Sequence, residues 1–295
     1  MSLHDKAMLV SLSLSKFGLN RKDAEEAKQV AARHGGDEAS FAVTKRLLAG
    51  NAAYDLIRKF DSALGAYNRK HTLPWDDAGT RLLPTLQYDE YMTYLRTARA
   101  ERDTLVRSFL SGYDAFVQAD RTALGTAFNP DDYPDRYLVR DKFEMKLDVS
   151  PVPDGKDFRI TVSKEDMIEL QQNVAARITN AEEIARRDLM GRLAEPLQKM
   201  ASSLSDPDKK LTLNITVPLV ENLREILDML PKLNVLDDPR IEKFRLAAQK
   251  SVAHYEPESL KNSQVVRTVV ASTAQEIVDA MADFMGAPLV PAEAA

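Results

Sequence analysis

Residues 128–163 read FNPDDYPDRYLVRDKFEMKLDVSPVPDGKDFRITVS. Phe143, Met145, Leu147 and Val149 alternate with Glu144, Lys146 and Asp148. A period of two puts one set of side chains on one face of a strand. Phe158, Ile160 and Val162 alternate with Arg159 and Thr161 in the same way. Between the two runs lies Pro153-Asp154-Gly155, where proline presets φ and glycine accepts a turn conformation. The stretch predicts a β-hairpin over 143–163.

What flanks the hairpin decides the fold class. Upstream, from about Tyr88 to Leu124, the apolar positions Tyr88, Met92, Leu95, Leu105, Phe109, Tyr113, Phe116 and Val117 keep mostly to three- and four-residue steps. Arg96, Arg99, Glu101, Arg102 and Asp103 fall between them and read as a solvated face. Downstream, Ser163 opens Ser-Lys-Glu-Asp, a capping box with Asp in place of Glu. A second helical stripe then runs to about Leu204 through Met167, Leu170, Val174, Ile178, Leu189, Leu193, Leu197 and Met200. At 1.5 Å rise each rod of roughly 40 residues spans about 60 Å. The prediction is a mainly α fold built on a long antiparallel helical hairpin with the strands at one end.

The remainder adds smaller pieces. Val10, Leu12 and Leu14 alternate with serines, predicting an N-terminal strand that extends the hairpin into a three-stranded sheet. Asn20 is placed to cap a helix from Arg21 that stops at Gly35-Gly36. A helical stretch follows over about Ala39–Lys70, with a break at Gly50-Asn51. Prolines 74 and 84 and Gly79 mark HTLPWDDAGTRLLPTLQ (71–87) as a loop. A C-terminal helical cluster comprises Val217–Leu230 closed by Pro231, a helix opened by Asp238-Pro239, and Ser263–Met285. The expected divisions are 1–71, 72–204, 205–286 and a flexible tail at 287–295, integrated into one elongated unit.

Composition narrows the chemistry. The 295 residues are 44% hydrophobic and 29% charged, enough to build a core rather than a disordered chain. The net charge is -5, which argues against a globally basic nucleic-acid binder. With Cys at 0, disulfides, thiolate zinc sites and cysteine nucleophiles are excluded together. No apolar run approaches the roughly 20 residues of a membrane helix, and the N-terminus lacks a continuous apolar stretch with a cleavage site. A cytoplasmic protein with no membrane partner is expected. No Walker loop, GxGxxG, GxSxG or HExxH is present.

Few residue sets point to chemistry. His4, His34, His71 and His254 are too scattered in sequence for a predicted metal site. Asp76-Asp77 beside Trp75, and Asp131-Asp132 with Asp135, are acid clusters of the kind that hold Mg²⁺. They also suit turns and helix caps. Trp75, the only tryptophan, is read as a structural anchor for its loop, with base stacking as the alternative. Charge is uneven: residues 1–71 carry a net +4 and residues 72–295 a net -9. On an unbroken helix Lys45, Lys59 and Lys70 fall within about 40°. With Arg69 and the interleaved Tyr54, Phe60 and Tyr67 they make a candidate single-strand surface, cations for phosphates and rings for bases. The other reading is an ordinary solvated face whose aromatics point inward.

The set LPWDDAGTRLLP (73–84), YDEY (88–91), NPDDYPDR (129–136), SPVPDGKDFRITVS (150–163) and DMLPKLNVLDDPRIEKF (228–244) resembles an uncharacterised protein family of tailed bacteriophages and prophages. The resemblance covers roughly residues 5–285. It implies a phage-encoded intracellular protein and brings no catalytic residues and no cofactor. The expectation is a non-enzymatic, homo-oligomeric binding protein in phage DNA metabolism, through single-strand binding or recombination support. One alternative is an interaction protein that binds or inhibits a host or defence protein; another is a virion or assembly component. An enzymatic function requires Asp76/Asp77 and Asp131/Asp132 to converge on a metal.

Overall fold

A computed structural model describes residues 3–76, 78–154, 163–206 and 210–285. The chain starts with α1 (Leu3–Lys6), β1 (Ala7–Leu14), β2 (Asn20–Lys22), α2 (Ala24–His34), β3 (Thr44–Arg46) and α3 (Ala52–His71). Then come β4 (Leu73–Pro74), β5 (Arg81–Pro84), α4 (Tyr88–Ser111), α5 (Tyr113–Leu124), α6 (Arg136–Arg140) and β6 (Met145–Pro151). Five helices end the described chain: α7 (Lys164–Ser205), α8 (Leu213–Leu233), α9 (Pro239–Ser251), α10 (Pro257–Asn262) and α11 (Gln264–Met285). The fold is mainly α with a small antiparallel sheet, as the periodicities predict.

The chain folds into two compact units that interleave along the sequence. Unit 1 takes Met1–Ser11, Arg69–Tyr91 and Asp148–Ala295; unit 2 takes Leu12–Asn68 and Met92–Leu147. The consecutive segments 1–71, 72–204 and 205–286 do not correspond to these units. Strand pairing is the physical reason, because it joins residues far apart in sequence.

Unit 1 is organised on α7. The Ser163 side-chain oxygen accepts the Asp166 N–H at 3.1 Å, the cap that Ser-Lys-Glu-Asp spells. At 42 residues the helix runs about 63 Å. Its buried stripe of Leu189, Leu193, Leu197 and Met200 packs in one core with Val270, Ala274, Ile277 and Met281 of α11 and with Leu223 and Leu227 of α8. Pro231 does not close α8, which continues to Leu233. A proline in the last turn forfeits only its own N–H, a smaller loss than breaking a helix interior. Asp238 caps α9 as predicted.

The stretch 71–87 is not a plain loop. Leu73 lies opposite Leu82 and Pro74 opposite Arg81, so β4 and β5 form a short hairpin. Ala7 then pairs with Pro84 and Val10 with Arg81, and the sheet order is β4-β5-β1-β6. The N-terminal strand thus does join β6. The second strand expected at 158–162 lies outside the described residues, as do Asp77 and the tail at 287–295. Trp75 is 3% exposed and sits in the unit 1 core.

Unit 2 holds the other core, with Phe17, Leu47, Tyr54, Ile57, Val106, Phe109, Tyr113, Val139 and Phe143. The stripe of α4 and α5 therefore belongs to this core while that of α7 belongs to unit 1. From Ala181 onward α7 buries its apolar face in the unit 1 core, and α4 and α5 bury Val106, Phe109 and Tyr113 in the unit 2 core. The rod at 88–124 also divides at Gly112, where a Cβ would lie 2.6 Å from the Phe116 ring.

Near the N-terminus, Asn20 is not a helix cap: residues 20–22 pair with 44–46 as a two-stranded ribbon. The cap is Asp23, whose carboxylate accepts the Glu26 N–H, and Gly35 ends α2 at φ 61. The predicted helix over Ala39–Lys70 begins only at Ala52, after Gly50-Asn51, because pairing with β2 draws Thr44–Arg46 into strand.

Candidate functional site

The basic segment does not form the surface that helical spacing implies. Lys45 sits in the middle of β3, so the alignment of Lys45, Lys59 and Lys70 on one helix does not exist. Its side chain is 11% exposed. Its Nζ lies 2.9 Å from Asp132 Oδ2 and 3.8 Å from Asp23 Oδ2, and donates to the Ala127 carbonyl at 2.7 Å. Lys59 is exposed on the part of α3 in unit 2. Lys70 and Arg69 close the same helix in unit 1, where Lys70 pairs with Glu225 of α8. Tyr67 stacks on Tyr94 with centroids 3.5 Å apart and planes 16° apart. Tyr54 is buried, and its hydroxyl donates to the Phe17 carbonyl.

The end of α3 is instead a packed junction. The Arg192 guanidinium of α7 donates to the carbonyls of Arg69, Lys70 and Thr72 at 2.8, 2.9 and 2.7 Å. These are carbonyls a helix C-terminus leaves without intrahelical partners, and a cation is favoured there by the helix dipole. His71 is buried beside them, its Nδ1 2.7 Å from Gln87 Oε1, and burial lowers its pKa below the ordinary histidine value.

The acid clusters have local work. The Asp76 carboxylate accepts the N–H groups of Ala78 and Thr80, forming a turn after Trp75. The Asn129 side chain accepts the Asp131 N–H, Asp135 caps α6, and Asp132 holds Lys45. Asp76 belongs to unit 1 and Asp131 and Asp132 to unit 2. Among the described residues no three or more His, Asp and Glu converge as metal ligands. No helix of the described residues is long and apolar enough to cross a membrane.

Two charged clusters were not legible in the sequence. Arg102, expected on a solvated face, is fully buried in unit 2 and paired with Asp61. In unit 1, Asp238 receives Arg186 Nε at 2.9 Å and Arg240 Nε and Nη2 at 2.7 and 2.5 Å. Those hydrogen bonds, Arg240 foremost, hold its carboxyl well below the usual carboxylate range. A cavity of about 400 Å³ nearby is lined by Leu3, Lys6, Ile178, Glu182, Arg186 and Val235. Lys6 and Arg186 are already paired, with Asp237 and Asp238.

The surface feature without such an explanation is the first part of α7. From Lys164 to Asn180 the helix buries no residue, and its burial begins at Ala181. Beyond Ile178, which packs against the unit 1 core, the apolar stripe continues outward through Val174, Leu170 and Met167, each half-buried, with Ile168 at 55% exposure beside it. A helix that stands clear of its core ordinarily carries polar residues all round.

Comparison with models of known protein families, with curated proteins and with solved structures gives no match for this chain.

Proposed function

We propose that this chain is a self-associating binding protein that acts through macromolecular contact rather than turnover of a small molecule. The observation that carries this is the first part of α7, where Met167, Leu170 and Val174 keep an apolar stripe that the described residues bury only in part. Such stripes are found where one helix meets another. With the resemblance to tailed-phage proteins, the setting is an assembly or adaptor role in a phage or prophage.

A role on single-stranded DNA is the weaker form of the proposal, since Lys45 is engaged by Asp132 and Tyr67 by Tyr94. Sedimentation of the full chain over a concentration series, with a salt-titrated gel shift on single strands, tests both forms. Mass rising with concentration supports self-association. Retardation of DNA that is lost on Lys59→Glu and Arg69→Glu supports the nucleic-acid form. A chain monomeric at every concentration overturns the proposal.

A further inference from the structure

We infer that the cavity beside Asp238 in unit 1 is a binding site for a free apolar α-amino acid, its ammonium held by Glu182 and its carboxylate by Arg186. The site belongs to the single chain and stands independently of the self-association proposed above. Every residue it uses lies in unit 1. At about 400 Å³ the cavity falls at the small end of the range for ligand pockets. Leu3, Ile178, Val235 and Leu236 supply its apolar wall.

Its polar side comes from α7. Glu182 and Arg186 are one turn apart on that helix, and both line the cavity. A glutamate four residues before an arginine ordinarily pairs with it. Here Arg186 turns to Asp238 instead, Nε to Oδ2 at 2.9 Å. The Asp238 side chain is 3% exposed, and a buried carboxylate needs its cation more than a half-buried one does. Glu182 is left half-buried, with no hydrogen bond or ion pair among the described residues. Arg186 Nη1 and Nη2 have no hydrogen-bond partner there either.

The charges name the ligand class. Arg186 and Arg240 share the one carboxylate of Asp238, which leaves that cluster net positive. Glu182 is an uncompensated negative charge. Lys6 is balanced by Asp237, and His4 and Asp154, also on the lining, have partners of their own. The cavity therefore offers one free positive charge, one free negative charge and an apolar wall. An apolar α-amino acid carries the complement of all three in its carboxylate, its ammonium and its hydrocarbon side chain. A guanidinium also matches a carboxylate through paired N–H donors. A simple amine leaves Arg186 unmet, and a simple acid leaves Glu182 unmet.

Isothermal titration of the full chain with leucine tests the site. The controls are isocaproate, which is leucine without its amine, and isoamylamine, which is leucine without its carboxylate. Leucine is expected to bind, and each control to bind about tenfold or more weaker. Glu182 makes no bond to the protein, so Glu182→Gln is expected to leave the urea midpoint in place. The same change is expected to weaken leucine about tenfold and to abolish its advantage over isocaproate. No heat from leucine, methionine or phenylalanine at millimolar concentration overturns the site. Leucine binding that Glu182→Gln leaves unchanged, or isoamylamine or isocaproate bound as tightly as leucine, overturns it equally.

Discussion

The Arg102 guanidinium grips the Asp61 carboxylate inside unit 2, Nε to Oδ1 at 2.7 Å and Nη2 to Oδ2 at 3.2 Å, with side chains 1% and 7% exposed. Arg102 Nη2 also donates to the Ser15 carbonyl at 2.7 Å. Such a pair exceeds little in net stability over an apolar replacement, but losing one partner strands a buried charge. Arg102→Met is expected to destabilise the protein by about 3–5 kcal/mol. The double change with Asp61→Leu is expected to be less damaging than Arg102→Met alone. Denaturant unfolding followed by far-UV circular dichroism checks both.

Lys45 and Lys59 make a matched pair of tests for the basic segment. Lys45→Ala removes the cation that Asp132 and Asp23 share, and is expected to cost about 1–3 kcal/mol. Lys59→Ala, on an exposed face, is expected to fall within about 0.5 kcal/mol of the parent. The urea midpoints of the two variants decide it. Equal midpoints would mean that Lys45 is not held as described.

Asp238 links stability to pH with a definite sign. Its carboxyl pKa in the folded protein is depressed by Arg240 and Arg186. Its contribution is therefore full above the unfolded carboxylate pKa, about 3.9, and is lost as pH falls through the lower folded value. The stability difference between the parent and Asp238→Asn is expected to be large at pH 6 and to shrink below pH of about 4. Urea unfolding at both pH values measures it.

His71 adds a second dependence at milder pH. Burial lowers its pKa, so the folded state favours the neutral ring. That contribution is full above the unfolded histidine pKa, about 6.5, and is lost as pH falls through the folded value. His71→Gln is expected to flatten the stability profile between about pH 7 and pH 5. The comparison uses the same denaturant midpoints.

Trp75 reports on unit 1 because it is the only tryptophan and lies in that core. Its emission is expected to be that of a shielded indole and to shift to the red on unfolding. Trp75→Ala is expected to lower stability by about 3–5 kcal/mol, Trp75→Phe by less. An emission maximum already that of free indole before unfolding would contradict the anchor.

The residues of this chain determine its local pieces. Ser163 starts α7, Gly35 ends α2, Asp238 starts α9, and alternation marks β1 and β6. These signals act over a few residues: a side-chain oxygen on a nearby N–H, a left-handed φ, a period of two or of 3.6. The tertiary structure decided what no short window contains. Pairing with β2 turned Lys45 from a helical cation into a half-buried strand residue held by Asp132. Packing made Arg102 an interior partner of Asp61 although its neighbours in sequence are polar. The sheet that joins Ala7 to Pro84 divided the chain into interleaved units. Each of these depends on contacts between residues tens of positions apart, and composition and periodicity are silent about which distant partner an exposed-looking charge will find.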